Sequence, residues 1–326
     1  MKERNLWIVA LLSLAFEGCG KVVTKFEDLL PKPSAPSYSA AASGIEGGTV
    51  IVRWRRESFP NPANTVAYLI YRGTSPNFQA SNLTLIDVVR GTVTEYYDRP
   101  IEYDGKVSVE VDEDTGEITW EEEYEFPEER ARKVRQETEY EFEYTHEPPT
   151  PGVQYWYRIA RVAKERVAPN GSRAGRASDR GRLGWRLVVS EPSPAFGPVT
   201  PLERPRLESP PNRPNPGWDN VNTRRARFKW RSVAGADQYV IQVCDDPSFP
   251  ADRRWESGVI YGSGQGGVLM EHVADISSKY PTGRKWRLFW RVGARNSKDA
   301  CLPQPDGWVW SEVWEFGTVE TPSETS

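Results

Sequence analysis

The chain has 326 residues, of which 38% are hydrophobic and 27% charged, and its formal net charge is −4. This length and composition suit two domains with separate cores and argue against a wholly disordered chain. Two histidines and three cysteines are too few for the usual four-ligand zinc sites or for a disulfide-dense scaffold, and they disfavour histidine-dependent hydrolysis. We therefore expect no metal site and no cofactor.

Charge is distributed unevenly along the chain. Residues 101–147 contain 18 acidic and 5 basic side chains, or −13, so the remaining residues carry +9. Residues 158–186 alone hold 9 basic and 2 acidic side chains, or +7. The small net charge is thus the difference between one acidic segment and a basic remainder.

The amino terminus has the pattern of an export signal. Two basic residues precede an apolar run from Leu6 to Phe16, which is too short to span a bilayer but fits a secretory signal. The Gly18-Cys19 pair that follows resembles a bacterial lipobox, which implies a lipid on Cys19. Because Phe16 and Glu17 replace the usual leucine and small residue, a plain signal peptide or a short buried helix stays open as an alternative.

The resulting expectation is an exported protein. Residues 1–19 form the signal peptide with its possible lipobox, and residues 20–33 form a polar tether. No later apolar stretch approaches membrane-spanning length. We predict that the lipid anchors the chain in a membrane and that the rest of it faces the periplasm or the cell surface.

Beyond the tether, the sequence predicts an all-β protein. Apolar and polar residues alternate in short runs, such as Val50–Trp54, Ala67–Tyr71 and Tyr155–Val162, between clusters of Pro, Gly, Asn and Asp. Residues 198–217 hold seven prolines, and such a stretch cannot join a sheet interior and stiffens an extended connection.

Both halves resemble fibronectin type III domains. The segments that carry the resemblance are GTVIVRWRR, VAYLIYRG, TEYYDRP, PGVQYWYRIARV and SEPSPAFGPVTP, then FKWRSVAGADQYVIQV, WRLFWRVGARNS and WSEVWEFGT. The resemblance implies two Ig-like β-sandwiches in tandem, module 1 at residues 34–200 and module 2 at residues 201–319, before a polar tail at residues 320–326. It also implies a tyrosine corner, in which the Tyr155 hydroxyl bonds to nearby backbone.

A β-rich acidic insertion, residues 101–147, interrupts module 1 where this family has a short loop. Apolar residues share one parity in three runs: Val107, Val109 and Val111; Ile118, Trp120, Tyr124 and Phe126; Tyr140, Phe142 and Tyr144. The opposite parity is mostly glutamate, which predicts one aromatic face and one solvated acidic face. The insertion either folds over the module's own sheet or forms an arm that binds a partner.

Two short motifs have alternative interpretations. Asp112, Asp114 and Gly116 lack the spacing of a full calcium loop and match a hairpin turn better. Residues 262–267 match the glycine spacing of a dinucleotide-binding loop, but no acidic residue follows at the required distance. We interpret both as loops.

The arginine-rich segment, residues 164–186, spaces its arginines with Gly, Ala and Ser. In an exported protein we expect no nucleic-acid partner for it. The family topology implies that this segment and the acidic insertion lie at opposite poles of module 1. Poles of opposite charge would favour self-association between copies or contact with a charged partner.

Eight of the thirteen tryptophans fall in module 2. The candidate ligand-binding residues are those in predicted loops: Trp218, Trp255 and Trp308. Strand parity places Trp230, Trp290 and Trp314 in the core.

The remaining chemistry-bearing residues suggest no catalytic site. Cys244 and Cys301 are candidates for a disulfide, although the family topology implies that they lie too far apart. His146 ends the insertion and His272 is placed in a loop or short helix, and neither has a nucleophile motif beside it.

These observations favour a non-enzymatic binding or scaffolding protein that presents two modules from a lipid anchor. Its partner is a protein or a cell-envelope polysaccharide. The alternative is an accessory to polysaccharide degradation, as a carbohydrate-binding module or, in second place, a glycoside hydrolase.

Overall fold

A computed structural model of the protein describes residues 34–55, 64–81, 83–125, 140–167, 184–213 and 221–319. The predicted signal peptide, tether and polar tail lie outside these ranges, as do Cys19 and Trp218. Within these ranges, no helix combines the length and the apolar content needed to cross a membrane.

The early strands of module 1 are buried more continuously than the predicted alternation implies: in Val50–Trp54 every side chain except Arg53 is buried, and Val66 to Tyr71 are buried without a break. Its strands, including those of the insertion, are β1 (Tyr38–Ala42), β2 (Val50–Trp54), β3 (Thr65–Gly73), β4 (Leu85–Arg90), β5 (Glu95–Asp98), β6 (Tyr103–Val111), β7 (Ile118–Glu125), β8 (Glu141–His146), β9 (Tyr155–Val167), β10 (Gly184–Val189) and β11 (Phe196–Val199). One sheet has the order β1-β2-β5, and the facing sheet has the order β10-β9-β3-β4 with β11 also paired to β9.

The core of module 1 lies between these two sheets. Trp54 of β2 packs on Tyr68 of β3 with ring centroids 5.1 Å apart, and Ile70, Tyr157 and other buried residues complete the cluster. The Tyr155 hydroxyl accepts a hydrogen bond from the Thr150 backbone N–H at 3.0 Å. The predicted tyrosine corner is therefore confirmed.

The insertion forms a third sheet, with the order β7-β6-β8. Its inward side chains include Val107 and Val109, which are fully or almost fully buried and share a core cluster with Leu69 of β3 and Val162 of β9. Tyr68 and Leu69 thus face different cores on opposite sides of the same strand. The insertion therefore folds over the module's own sheet, the first of the two alternatives.

Module 2 is a second antiparallel sandwich. It contains β12 (Arg206–Ser209), a short 3-10 helix (Thr223–Arg225), β13 (Ala226–Arg231), β14 (Gln238–Cys244), β15 (Trp255–Glu256), β16 (Ile260–Tyr261), β17 (Leu269–Ala274), β18 (Arg287–Arg295), β19 (Val309–Trp310) and β20 (Trp314–Gly317). One sheet has the order β12-β13-β17; the other has the order β15-β14-β18-β19, with β16 on β14 and β20 on β18. Trp230 and Trp290 are fully buried between them.

The two modules meet at a hydrogen-bonded junction. Val199 belongs to the core of module 1, whereas Leu202, three residues later, belongs to the core of module 2. Asp299 accepts hydrogen bonds from the Thr200 backbone N–H at 3.0 Å and from its hydroxyl at 2.6 Å. Gln304 exchanges backbone hydrogen bonds with the end of β1. The modules are thus joined by packed structure at Thr200 to Leu202.

Candidate functional site

Two of the three tryptophans proposed as ligand-binding residues, Trp255 and Trp308, have packing roles in module 2; Trp218 lies outside the described residues. Trp255 pairs with Val243 on β14 and packs, partly buried, against the module core. Trp308 carries the Arg295 guanidinium 4.2 Å above its ring. Each indole therefore already contacts protein, and any ligand would meet only the part of the ring that stays exposed.

Trp308 and Arg295 belong to a set of stacked side chains that we call the arginine–aromatic ladder, with Arg291, Phe249 and Trp310. The Arg291 guanidinium lies 3.9 Å from the Trp310 ring centre and 4.4 Å from that of Phe249. It also donates two hydrogen bonds to the Gln242 side-chain oxygen, at 2.9 and 2.8 Å. Burial lowers the pKa of Arg291. The ladder lies on the outer face of β18, because Trp290 and Val292 of that strand face the core.

Module 1 contains an ionic cluster that the sequence did not reveal. Asp98 is fully buried, and its carboxylate accepts hydrogen bonds from Arg72 Nη1 at 2.8 and 2.9 Å and from the Tyr157 hydroxyl at 2.6 Å. His146 Nε2 lies 2.8 Å from the same carboxylate, and His146 Nδ1 lies 2.6 Å from the Ile101 carbonyl oxygen. Both ring nitrogens therefore have a hydrogen-bond partner.

This arrangement gives the Asp98–His146 pair a structural role. A catalytic histidine of a hydrolase keeps one ring nitrogen for the proton of a nucleophile. Both nitrogens of His146 are occupied, and the side chain is 1% exposed. The cluster instead ties the last strand of the insertion to the core of module 1.

A second buried carboxylate reinforces this connection. Asp87 of β4 accepts hydrogen bonds from the Tyr103 hydroxyl at 2.6 Å and the Tyr144 hydroxyl at 2.7 Å. Burial raises the pKa of Asp87, although these hydrogen bonds oppose the shift. The Tyr103 ring stacks on the His146 ring at 4.6 Å with an interplanar angle of 5°. The acidic residue inside the apolar strand LIDVVR was the available sequence signal.

The outward face of the insertion is acidic, as the strand parity predicts. The strand register places six acidic residues on the face of the sheet away from the buried valines: Asp104, Glu110, Glu121, Glu123, Glu125 and Glu141. Lys106 lies on the same face and forms an ion pair with Glu141. At the β6–β7 turn, Asp112 accepts backbone hydrogen bonds from Asp114 and Thr115. This is a hairpin turn, and across the described ranges no three His, Cys, Asp or Glu side chains are grouped to hold a metal ion.

For the described ends of the arginine-rich segment, the expectation of opposite poles is wrong; residues 168–183 lie outside the described ranges. The Trp185 backbone N–H donates to the Glu113 carbonyl at 2.8 Å, and Lys164 Nζ donates to the Gly116 carbonyl at 2.6 Å. The β6–β7 hairpin therefore contacts Lys164 and Trp185, which belong to the two described ends of the arginine-rich segment. The family topology does not contain this hairpin, which is why it misled the prediction. Charge-driven self-association stays a prediction.

The structure also describes the two cysteines of module 2, His272 and the glycine-rich segment at residues 262–267. Cys244 is buried, Cys301 is half-buried, and both are free thiols. His272 lies in strand β17 opposite Phe228, not in a loop or short helix. Residues 262–267 connect strands β16 and β17 as a loop.

Beside the junction lies an open cleft of about 600 Å³. We call it the junction cleft, and it is lined by Gly47, Glu203, Arg204, Pro205, Arg206, Leu207, Glu312 and Trp314. Trp314 is half-buried, so its assignment to the core was only partly right: the ring packs edge-on against Trp290, at 6.2 Å, and also lines the cleft. Sequence reasoning missed the cleft because residues from both modules form it.

No protein-family model and no curated protein matches the chain. Among solved structures, the crystal structure of chicken CNTN1 FN1–FN3 domains is similar, with 12% identity over 88% of this chain and 67% of that chain and a TM-score of 0.24. A score this low supports no argument about function. By its own strand order, the chain is an all-β protein of two tandem fibronectin type III-like sandwiches, the first with a β-rich acidic insertion.

Proposed function

We propose that the protein is an exported, non-enzymatic binding or scaffolding protein that presents its two modules from a lipid on Cys19. The observation that carries the proposal is the packed junction, in which Leu202 enters the core of module 2 three residues after Val199 leaves that of module 1. Such a junction holds two binding surfaces at a fixed separation and orientation.

The mechanism is display. The lipid fixes one end of the chain, residues 20–33 supply reach, and the joined modules form one stiff body beyond them. The acidic face of the insertion then meets solvent in a set orientation, because the buried clusters around Asp87 and Asp98 hold the insertion on its module. A scaffold gains affinity from such preorganisation, since binding need not order the interface.

The alternative, an accessory of polysaccharide degradation, has less support from the predicted tryptophans. Trp255 and Trp308 contribute to packing in module 2. A hydrolase role has less support still, because the buried Asp98–His146 pair has no free ring nitrogen.

Metabolic labelling tests the anchored, exported state. We expect full-length chain expressed in a bacterial host with a palmitate analogue to be labelled and membrane-associated, and its modules to be digested by protease added to spheroplasts. Cys19→Ala should lose both label and membrane association. Cys301→Ala removes another cysteine and serves as the matched control, which should stay labelled. Unchanged labelling of Cys19→Ala would contradict the proposal.

A further inference from the structure

The junction cleft combines an aromatic wall with an apolar lining. Trp314 is half-buried, and Leu207 is 7% exposed. Pro205, also buried, adds a second apolar surface beside Leu207. Aromatic walls and apolar linings with a few polar groups are typical of small-molecule sites, whose volumes run from about 300 to 1,000 Å³. The cleft is within that range.

The polar groups of the cleft carry both signs of charge. Two guanidinium groups, from Arg204 and Arg206, and two carboxylates, from Glu203 and Glu312, line it, and all four side chains are exposed. Guanidinium groups only donate hydrogen bonds and carboxylates only accept them. The two guanidinium groups and two carboxylates sum to zero charge, so the lining has no net attraction for an anion or a cation, whereas a neutral hydroxyl can accept from a guanidinium group and donate to a carboxylate.

The shape of the cleft depends on the junction. Gly47 comes from module 1, and a Cβ atom there would lie 3.2 Å from the Arg204 backbone nitrogen. The Arg204 guanidinium donates a hydrogen bond to the Ile45 carbonyl of the same module 1 loop. Trp314 and Glu312 come from module 2. A ligand here would therefore meet a site that both modules build and that is formed before it binds.

We propose that the junction cleft binds a short segment of a neutral oligosaccharide. The Trp314 ring packs on the apolar face of a sugar ring, and Arg206 and Glu312 hydrogen-bond to its hydroxyls as donor and acceptor. The inference deepens the proposed function and rests on it for the partner's location: among the two partner types, it selects a neutral polysaccharide.

The test titrates full-length chain with four neutral trisaccharides: maltotriose, cellotriose, laminaritriose and chitotriose in its N-acetylated form. We expect saturable heat on calorimetry for at least one, with a Kd between about 10 µM and 1 mM. The Trp314 indole N–H signal, identified by its loss in Trp314→Phe, should shift with the same midpoint. Because the ligand is neutral, its affinity should not change between low and high salt.

Variants assign the binding to the cleft. Glu312→Ala and Arg206→Ala change exposed side chains and should each weaken binding about tenfold, which corresponds to one lost hydrogen bond to a charged group. Trp314→Ala should abolish it, with Trp255→Ala as the matched tryptophan control that keeps wild-type affinity. Since Trp314 also packs on Trp290, the two rim variants keep the test valid if Trp314→Ala does not fold.

Three results would overturn the proposal: no saturable binding of any of the four sugars, binding that both rim variants leave unchanged, or binding of the dipeptide Arg-Glu in their place. The dipeptide outcome would be recognised by weakening at high salt. Labelling on Cys19 is measured separately, so failure of the sugar site and failure of the anchored-display proposal are distinguishable.

Discussion

The two modules share a strand order but protect the outer face of the larger sheet in different ways. In module 1 that face carries apolar side chains, including Leu69 and Val162, and the insertion covers it as a third layer. In module 2 the corresponding face of β18 carries Arg291 and Arg295, whose guanidinium groups stack on the rings of Trp310 and Trp308.

The two modules therefore protect the outer face of the larger sheet by interactions of different strength. Each large apolar side chain buried under the insertion contributes about 1.5–3 kcal/mol. A cation–π contact contributes about 0.5–2 kcal/mol and needs no covering layer. Module 1 therefore depends on its insertion for a soluble surface, whereas module 2 is complete without one.

Deleting the insertion should have the largest effect of the changes considered. Replacing residues 103–146 with a short Gly-Ser loop should leave the apolar outer face of β3 and β9 exposed, so we expect loss of soluble monomer by size-exclusion chromatography. Arg291→Ala, which disturbs the outer face of module 2, should stay monomeric. A soluble monomer of the deletion variant with native circular dichroism would show that module 1 does not need its third layer.

The next largest effect is expected when the buried ionic cluster around Asp98 is disrupted. Asp98→Ala leaves Arg72 and His146 buried without their shared carboxylate. We expect the free energy of unfolding of module 1 to fall by about 3–5 kcal/mol in urea titrations. Glu121→Ala, on the exposed face of the same insertion, is the control and should change it by less than about 0.5 kcal/mol. Equal effects of the two variants would contradict the structural role of the cluster.

A smaller effect is expected for the ladder of module 2. Arg291→Ala removes two cation–π contacts and the hydrogen bonds to Gln242, so unfolding should become easier by about 1–2 kcal/mol. The control is Arg227→Ala, which breaks only an exposed ion pair with Glu271 and should cost about 0.5 kcal/mol or less. If thermal denaturation does not distinguish the two variants, the arginine–aromatic ladder contributes no more to stability than an exposed ion pair does.

The junction between the two modules gives the smallest effect, seen in its pH dependence. Burial raises the pKa of Asp299 from 3.8 to about 6, although hydrogen bonds from Thr200 oppose the shift. Because the pKa is higher in the folded than in the unfolded chain, this group makes unfolding harder as pH falls from about 6 to about 4, and that gain is absent above pH 6.

The matching variant is Asp299→Asn, which does not titrate. The difference in unfolding free energy between the wild type and this variant should shift by about 1 kcal/mol in favour of the wild type between pH 7 and pH 4.5, after allowance for partial exposure of the carboxyl. Paired thermal scans at the two pH values measure it. A constant difference would show that Asp299 has its usual pKa in the junction.

Particular segments show why sequence reasoning reached the fold but not the sites. Two sequence patterns involve only residues a few positions apart: the alternation in Val50–Trp54, and the glycine and tyrosine of PGVQYWYR. The sequence alone therefore predicted the strand and the tyrosine corner. The run VAYLIY is apolar at both parities, which is typical of a strand buried on both faces. This run therefore indicated that a third layer covers the strand. The alternation at Ala67, Leu69 and Tyr71 describes only one face of the strand and does not indicate that layer.

The chain's own sequence determined two sandwiches, an insertion with one aromatic and one acidic face, and the opposition of −13 against +9. Tertiary structure decided where those features lie: the acidic turn beside Lys164 and Trp185, His146 on Asp98, and a cleft between Gly47 and Trp314. The reason is physical. Strand parity and turns are set by local backbone geometry, whereas buried ion pairs, module contacts and clefts require residues far apart in sequence to meet, and no local pattern encodes that meeting.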